Sequence, residues 1–406
     1  MSILPVNTTL RVPYALAVHG DEEKQRVIKV LDEHRTNTGK EILEFEEKVA
    51  KQFGKRFGVM VNSGSSANLL AFELLDLPKD SEVITPLLTF STTIAPLVKK
   101  QLVPVFVDVK EGTYVIDEDQ IEGAISEKTK ALMIPLLLGN VPDLERIRAL
   151  AKKHNLIVVE DSCDTLGATF NNHPSGTFSD ISTTSFFGSH IITAGGNGGM
   201  ILVDDEKSRD RLKVLRGWGR TSSIFGESED IEKRFSYKIG DLPYDAKFIF
   251  DEIGYNLLPN EMGAAFGNAQ LEKLETFRKT RDYNFDYLSK FFGNYEQFFK
   301  LPQQDSRVRT QWLAFPLTIT KTAPFTRLEL VTHLEQNNIQ TRPIFTGNIL
   351  KQPGFKNIQN RQAEAEYPNT EEVMERGFVI GCHHGLEEKH LKKIEAVFES
   401  FLSQPK

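Results

Sequence analysis

Hydrophobic runs and amphipathic runs alternate along the first half of the chain. Runs rich in β-branched and aliphatic residues predict short buried strands at 58–62, 82–86, 103–109, 131–138, 156–162, 181–187 and 199–205. Apolar residues spaced three or four apart predict helices before and between them, at 20–31, 42–53, 66–75, 92–100, 117–125 and 143–154. Near-continuous apolar strands that alternate with helices indicate an α/β fold, with a mostly parallel central sheet covered by helices on both faces.

The pattern changes in the second half of the chain. A long helical pattern at 261–294 is expected to lead into a smaller domain. Strand-like runs at 312–319 and 340–345 lie on either side of a helical run at 327–337, and a last helix is predicted at 387–402. We therefore predict two domains. Residues 1–275 hold an N-terminal segment and the large domain, and residues 276–406 form a small C-terminal α+β domain.

Composition narrows the possible functions. The 406 residues carry 49 basic and 56 acidic side chains, and a net charge of −7 disfavours a broad nucleic-acid surface. No apolar run approaches the roughly 20 residues of a membrane helix, and the N-terminus lacks the pattern of a signal peptide. Only Cys163 and Cys382 are present, too few for a disulfide framework or a four-cysteine metal site. We expect a cytoplasmic protein that binds no nucleic acid, membrane or metal.

The first segment with chemical potential is VNSGSSANLLA at 61–71. A predicted strand runs into Gly64, Ser65 and Ser66, and an apolar helix follows at once. A glycine allows close backbone approach, and hydroxyls beside free N–H groups at a helix N-terminus suit an anion. Serine is also a favoured helix cap, so an ordinary capping role is an equal alternative for this segment taken alone.

Two further segments carry polar residues at strand ends. In IVVEDSCDTLGA (157–168), Asp161 ends a buried strand, where open α/β sheets bind ligands, and it could hold a protonated pyridine nitrogen. The alternative is a solvated aspartate. In TTSFFGSHIITAGGNGGMILVDD (183–205), Ser185 ends a strand and His190 follows in a turn before a glycine-rich loop. A lone histidine is more often structural than catalytic.

The order of these segments resembles a known family. SGSSAN, TFSTT (89–93), EDSCDTLGA, SFFGSH with GGM, and GYN (254–256) follow one another as in the sugar aminotransferase/dehydratase family of the DegT/DnrJ/EryC1/StrS type. Its members act on nucleotide-linked keto-sugars, and the resemblance runs from Gly39 to the C-terminus. It implies the aspartate-aminotransferase fold (PLP fold type I), a pyridoxal or pyridoxamine phosphate cofactor, and a homodimer with active sites at the interface.

The resemblance also implies roles for individual residues. Ser65, Ser66 and Ser185 would bind the cofactor phosphate, and Asn256 would reach the phosphate in the neighbouring subunit. The residues expected around the cofactor ring are Phe90, which would stack on it, Asp161, which would pair with its nitrogen, and Asp164, which would lie near its hydroxyl.

Position 190 departs from most of the family, which has a lysine that forms a Schiff base with the cofactor. Histidine there resembles a small subgroup, the 3-dehydratases that make 3,6-dideoxy sugars. The stretch 341–351 is similar to a cluster-free member, whereas 233–256 looks closer to an iron–sulfur member. Residues 221–235 contain no cysteine, so we expect no iron–sulfur cluster. The loop ITAGGNGGM also lacks the glutamate that relatives carry and is longer.

The resemblance therefore implies a reaction. A nucleotide-linked 4-keto-6-deoxyhexose would lose its C3 hydroxyl, with His190 as the base, and L-glutamate would restore the pyridoxamine form. Arg220, Arg342 and His383 could bind carboxylate or diphosphate, and ion pairs at a surface or interface are an equal alternative for each. An ordinary sugar aminotransferase and an inactive homologue that only binds nucleotide sugar are the competing functions. The nucleotide is open among GDP, CDP and dTDP.

Overall fold

The computed structural model describes residues 9–224 and 231–403. The α-helices are α1 (Asp21–Asp32), α2 (Lys40–Gln52), α3 (Gly64–Leu75), α4 (Ser91–Lys99), α5 (Glu118–Ile121), α6 (Leu144–His154), α7 (Glu206–Arg216), α8 (Ile231–Arg234), α9 (Glu261–Glu272), α10 (Leu274–Phe292), α11 (Arg327–Gln336), α12 (Pro368–Arg376) and α13 (Glu388–Leu402).

The strands of the first half are β1 (Phe57–Val61), β2 (Glu82–Pro86), β3 (Val103–Val107), β4 (Thr129–Pro135), β5 (Ile157–Asp161), β6 (Thr169–Phe170), β7 (His173–Pro174), β8 (Ile181–Ser185) and β9 (Gly199–Val203). Those of the second half are β10 (Tyr237–Ile239), β11 (Leu242–Tyr244), β12 (Phe299–Lys300), β13 (Val308–Arg309), β14 (Phe315–Ile319), β15 (Thr341–Pro343), β16 (Arg361–Gln362) and β17 (Gly377–Ile380).

Eight strands form the central sheet in the order β1-β9-β8-β5-β4-β2-β3-β16. The pairs from β8 to β16 are parallel, and β9 alone runs against both of its neighbours, β1 and β8. The predicted mostly parallel sheet is therefore confirmed. Because the parallel strands end at one edge, the loops after β1, β2, β4, β5 and β8 meet there, and the loop before the antiparallel β9 joins them.

Alternate residues of the strands feed separate cores on the two faces of the sheet. In β4, Ala131 and Met133 pack with apolar residues of α3, α4 and α7, whereas Leu132 and Ile134 pack with α5 and α6. At the other end of the sheet, Met60 belongs to a third core with α2 and α9. Both faces are thus covered by helices, which explains why the strands read as continuous apolar runs.

A second, antiparallel sheet has the order β12-β14-β17-β15 and packs with α10, α11 and α13. All its strands lie beyond residue 275, while β16, from the same part of the chain, pairs with β3 of the central sheet. The predicted boundary at 275–276 falls in the first turn of α10. It stays a prediction.

One predicted element is wrong. The single long helix expected at 261–294 is two helices, because Lys273 leaves the helical path with ψ near −2°. The Lys273 ammonium contacts Glu22 and Glu23 of α1, so contacts with a distant helix accompany the break. Elsewhere the predicted strands and helices of the first half are confirmed, apart from 117–125, where α5 has four residues and a 3₁₀ turn completes it. None of the described helices is long and apolar enough to cross a bilayer.

Candidate active site

A cavity of about 450 Å³ lies at the carboxyl edge of the central sheet. Its walls come from the loops that follow β1, β2, β4, β5 and β8 and from the loop before β9. Tyr14, from the segment before α1, lines it as well, as do Leu313 and Phe345 from the C-terminal part of the chain. Of the residues predicted from the motifs, it brings together Ser65, Phe90, Asp161, Asp164, Ser185 and His190.

The N-terminus of α3 forms one side of the cavity. Ser63 is its cap, and its Oγ accepts the N–H of Ser66 at 3.1 Å. A Cβ on Gly64 would lie 2.6 Å from the Cβ of Ser185, so glycine lets the helix terminus approach that strand end. The side chains of Ser65 and Ser185 line the cavity beside this terminus. Ser63 therefore fills the capping role, and the hydroxyls of Ser65 and Ser185 lie beside a helix N-terminus, a position that suits an anion.

Ser66 differs from its neighbour Ser65. Its Oγ donates to Asn62 Oδ1 at 2.6 Å and lies 3.0 Å from Ser63 Oγ, and Ser66 does not line the cavity. Its hydroxyl therefore supports the turn that leads into α3.

Asp161 is buried at the end of β5 and is fixed by three donors. Its Oδ2 accepts from Asn68 Nδ2 and from Thr93 Oγ1, each at 2.8 Å, and its Oδ1 accepts the N–H of Cys163 at 3.2 Å. Hydrogen bonds to a carboxylate are among the stronger ones in proteins. They hold this carboxylate in one orientation at the cavity wall, which excludes the alternative of a freely solvated aspartate.

His190 follows β8 and lines the cavity with a mostly buried ring. Its Nδ1 lies 3.3 Å from the carbonyl oxygen of Ser185, which can only accept a hydrogen bond. This contact favours the tautomer with its proton on Nδ1 and leaves Nε2 as the unprotonated nitrogen. Burial lowers the pKa of His190 to about 4, so the ring is neutral near pH 7 and Nε2 can accept a proton.

Asp164 is the second titratable group of the cavity. Leu138 N–H donates to its Oδ2 at 3.0 Å, and its Oδ1 lies 3.9 Å from Nε2 of His190. Burial raises the pKa of Asp164 to about 7, and the carboxylate of Asp161 adds to the rise. Between about pH 4 and 7 both His190 and Asp164 are mostly neutral, so their contact is not an ion pair.

Aromatic rings line the mouth of the cavity. Phe90 is 48% exposed and meets Phe345 edge-to-face, with 6.0 Å between the ring centres. Phe345 has φ +46°, an uncommon conformation for a bulky residue. Thr346, which follows it, donates from Oγ1 to the carbonyl of Thr89 at 2.6 Å and ties this segment to the loop that carries Phe90. Phe187 meets the ring of His190, also edge-to-face at 6.0 Å.

The glycine-rich loop is bonded to the turn that carries His190. Phe186 N–H donates to Gly198 carbonyl at 2.9 Å, and Gly188 N–H to Gly196 carbonyl at 3.0 Å. A Cβ on Gly199 would overlap the backbone of Ser63, so the loop also packs against the start of α3. It turns Asn197 toward the cavity.

Besides Ser66, four predicted residues lie outside the cavity. Asn256 is exposed on the surface. The guanidinium of Arg220 lies 4.4 Å from the ring centre of Trp218, and that of Arg342 lies 5.6 Å from the ring centre of Tyr14. No carboxylate in the described part of the chain forms an ion pair with either arginine. His383 is buried, and both of its ring nitrogens have backbone partners.

Several residues of the site were not assigned from the sequence. Asn68 and Thr93 belong to the SGSSAN and TFSTT segments, so their motifs were identified but not their bonds to Asp161. Ser63, Asn197 and Tyr14 line the cavity and were not singled out. Cys163 also lines it, and burial together with Asp161 raises the pKa of its thiol. The described residues hold no cluster of histidine, cysteine or acidic side chains suited to a metal ion.

This architecture is the aspartate-aminotransferase fold, PLP fold type I, as the family resemblance implied. The chain belongs to the DegT/DnrJ/EryC1/StrS aminotransferase family, whose model matches residues 18–399. The resemblance read from the motifs is thereby confirmed.

Similar proteins cover nearly the whole chain. The lipopolysaccharide biosynthesis protein RfbH of Salmonella typhimurium is 38% identical over 401 residues, which cover 96% of this chain and 91% of that protein. A dTDP-4-dehydro-2,6-dideoxy-D-glucose 3-dehydratase of Saccharopolyspora spinosa is 37% identical over 399 residues, covering 96% and 86%.

A solved structure agrees over the same extent. The crystal structure of a GDP-4-keto-6-deoxymannose 3-dehydratase with a trapped PLP–glutamate geminal diamine is 31% identical, with a TM-score of 0.86 over 95% of this chain and 99% of that one.

Proposed function

We propose that the protein is a pyridoxal/pyridoxamine phosphate-dependent 3-dehydratase. It removes the C3 hydroxyl of a nucleotide-linked 4-keto-6-deoxyhexose to give a 4-keto-3,6-dideoxy sugar, and L-glutamate restores the amine form of the cofactor. The observation that carries the proposal is the place of the His190 imidazole in the cavity, with Nδ1 against the Ser185 carbonyl and Nε2 left as the unprotonated nitrogen. Imidazole cannot form the Schiff base of the family's lysine, but its unprotonated nitrogen can act as a general base.

The residues of the cavity fit this cofactor. The hydroxyls of Ser65 and Ser185 and the N–H groups at the start of α3 are a donor set for a phosphate. Asp161, held by its three donors, suits a protonated pyridine nitrogen, and Phe90 offers a ring to stack on. When bound, the cofactor would supply a conjugated ring that withdraws electrons from the carbon beside its amine.

His190 moves the proton in this proposal. The Ser185 carbonyl orients the ring through Nδ1, and Nε2 accepts the proton whose removal lets the C3 hydroxyl leave the sugar. A lysine would return a proton to the sugar and complete an amino transfer. A single imidazole makes elimination the easier outcome. Asp164, 3.9 Å away, is protonated below about pH 7 and so adds no ion pair that would hold His190 in its charged form.

The proposal extends to the substrate and to the partner subunit. Arg220 and Arg342 are assigned to the diphosphate or to the donor's carboxylate, which is supported by their lack of acidic partners in the described chain. Asn256 is assigned to the cofactor phosphate of the partner in a homodimer, and its exposure supports this. We do not retain His383 as a ligand of the substrate, because its ring nitrogens are already bonded.

The names of similar proteins support the reaction class. Both the Saccharopolyspora protein and the solved structure are named as 3-dehydratases of nucleotide sugars, and the latter holds PLP with glutamate. A 3,6-dideoxyhexose would be a building block for the O-antigen of lipopolysaccharide, the process for which the Salmonella protein is named.

The decisive experiment supplies the purified enzyme with glutamate and GDP-, CDP- and dTDP-linked 4-keto-6-deoxyhexoses in turn. Mass spectrometry should find a product without the C3 oxygen, with ammonia and 2-oxoglutarate released in equal amounts. A 4-amino sugar that keeps its C3 hydroxyl would make the protein an aminotransferase instead. No turnover of glutamate or sugar by cofactor-loaded protein would favour the inactive homologue.

A further inference from the structure

The segment before α1 crosses onto the C-terminal sheet and lies against its β15 edge. Val12 N–H donates to Asn338 carbonyl at 2.8 Å, and Gln340 N–H donates to Val12 carbonyl at 2.9 Å. The side chain of Gln340 also accepts the N–H of Tyr14 at 3.0 Å. These bonds fix the backbone on both sides of Pro13, although the partners are more than 300 residues apart.

His383 holds the same segment from the other side. Its Nδ1 accepts the N–H of Gly385 at 3.1 Å, which leaves the proton on Nε2, and Nε2 donates to Pro13 carbonyl at 3.0 Å. A Cβ on Gly381 would overlap that carbonyl, so glycine there permits the close approach. The lowered pKa of His383, about 3 because of burial, keeps this arrangement intact across the physiological range.

This anchoring presents the side chain of Tyr14 to the cavity that holds His190 and Asp164. Within residues 9–224 and 231–403, no side chain or backbone group is hydrogen-bonded to the phenol oxygen. Burial raises the pKa of Tyr14, and among the charged side chains that act on it Asp164 has the largest effect, ahead of Arg342 and Arg281. The phenol therefore stays protonated and is a hydrogen-bond donor without a protein acceptor.

We propose that Tyr14 is a substrate-binding residue whose hydroxyl donates a hydrogen bond to an oxygen of the hexose ring of the nucleotide sugar. The donors proposed for the cofactor phosphate are already accounted for. They lie at the start of α3, after β1, and at the end of β8. A protonated phenol donates one hydrogen bond and needs no charge on its acceptor. A neutral hydroxyl or ketone oxygen is the acceptor that this position suits.

The inference rests on the proposed function, and Tyr14→Phe tests it because the ring and its packing are kept. The probe is a GDP-, CDP- or dTDP-linked 6-deoxyhexose with a 4-hydroxyl, which cannot condense with the cofactor. Calorimetry should show about tenfold weaker binding to the variant, the size expected for one buried hydrogen bond. The glutamate half-reaction, followed by the cofactor's absorbance, should change less than about twofold. Tyr283→Phe, at an exposed position on α10, is the matched control.

Equal binding by wild type and Tyr14→Phe would overturn the assignment, as would equal slowing of both half-reactions, which would indicate a general disturbance of the site. A different outcome would refute the proposed function. A wild type that binds the 4-hydroxy sugar but never removes the C3 oxygen from the keto-sugar would refute the dehydratase while the calorimetric comparison still decides on Tyr14. A wild type that binds none of the three nucleotide sugars would refute both.

Discussion

Nε2 of His190 and Oδ1 of Asp164 lie 3.9 Å apart, one group placed by the loop after β8 and the other by the loop after β5. Burial acts on them in opposite directions, lowering the pKa of the histidine to about 4 and raising that of the aspartic acid to about 7. Desolvation disfavours the charged form of each. Between about pH 4 and 7 an unprotonated imidazole therefore lies next to a protonated carboxyl, which suits the proton removal proposed for this site.

Replacement of His190 by asparagine should remove the base and keep the fold. We expect the release of the C3 oxygen to fall by roughly a hundredfold or more, the usual contribution of a positioned general base. Stopped-flow measurement of the sugar half-reaction checks this, with His34→Asn in the exposed turn after α1 as control. An unchanged rate would mean that another group is the base.

Replacement of His190 by lysine should allow a covalent bond to the cofactor. Borohydride reduction followed by denaturation and intact-mass measurement should then find the cofactor fixed to the variant and released from the wild type. Dehydration should be impaired, and some amino sugar should form. Cofactor fixed to a lysine of the wild type would contradict the assignment of His190.

The stability of the cofactor-free protein should depend on pH through Asp164. In the folded chain this carboxyl keeps its proton up to about pH 7, whereas in the unfolded chain it loses it near pH 4. The folded state thus binds more protons between these values. The stabilising contribution of Asp164 to the free energy of unfolding is therefore full below about pH 4 and is lost as pH rises through about 7. The urea midpoint of unfolding should decrease more from pH 5 to pH 8 in wild type than in Asp164→Asn. Asp241→Asn, an exposed substitution, should behave like wild type, and parallel curves for all three would contradict the prediction.

Thr93→Val keeps the shape of the side chain and deletes one donor to Asp161. Hydrogen bonds to charged groups contribute about 1.5–3 kcal/mol. We expect cofactor affinity to fall by about tenfold or more, because each 1.4 kcal/mol is a factor of ten. Fluorescence titration of the apo-protein measures this, and Thr280→Val on the exposed face of α10 is the control. Equal affinities would show that Asn68 and Cys163 alone suffice to orient Asp161.

The role of Asn256 can be tested by mixing two inactive variants. If Asn256 serves the site of the partner, hybrid dimers of Asn256→Asp and His190→Asn contain one site with both native residues. Subunit exchange in dilute urea should then restore roughly a quarter of wild-type activity, from random pairing in a twofold dimer. No recovery despite exchange, or full activity of a monomer by analytical ultracentrifugation, would refute the shared site.

The sequence by itself determined the layered architecture and the main residues of the cavity. Strand and helix periods report which side of each segment is buried, and parallel strands place their carboxyl ends at one edge. For this reason Asp161, Ser185 and His190, each at or just after a strand end, could be predicted to converge. The order of the motifs identified the family, and the resemblance to that family assigned Ser65, Phe90 and Asp164 to the site.

Only the tertiary structure decided which groups surround those residues. The bond from Tyr14 to Gln340 joins positions 326 residues apart, and Tyr14 lies in no periodic pattern or motif. From the sequence His383 was a candidate ligand with an ion pair as an equal alternative, yet packing gives both of its ring nitrogens backbone partners. The break at Lys273, with its contacts to α1, was likewise visible only in the structure. Local patterns record whether a side chain is buried, whereas its partner is set by how distant segments pack, and that information is not local.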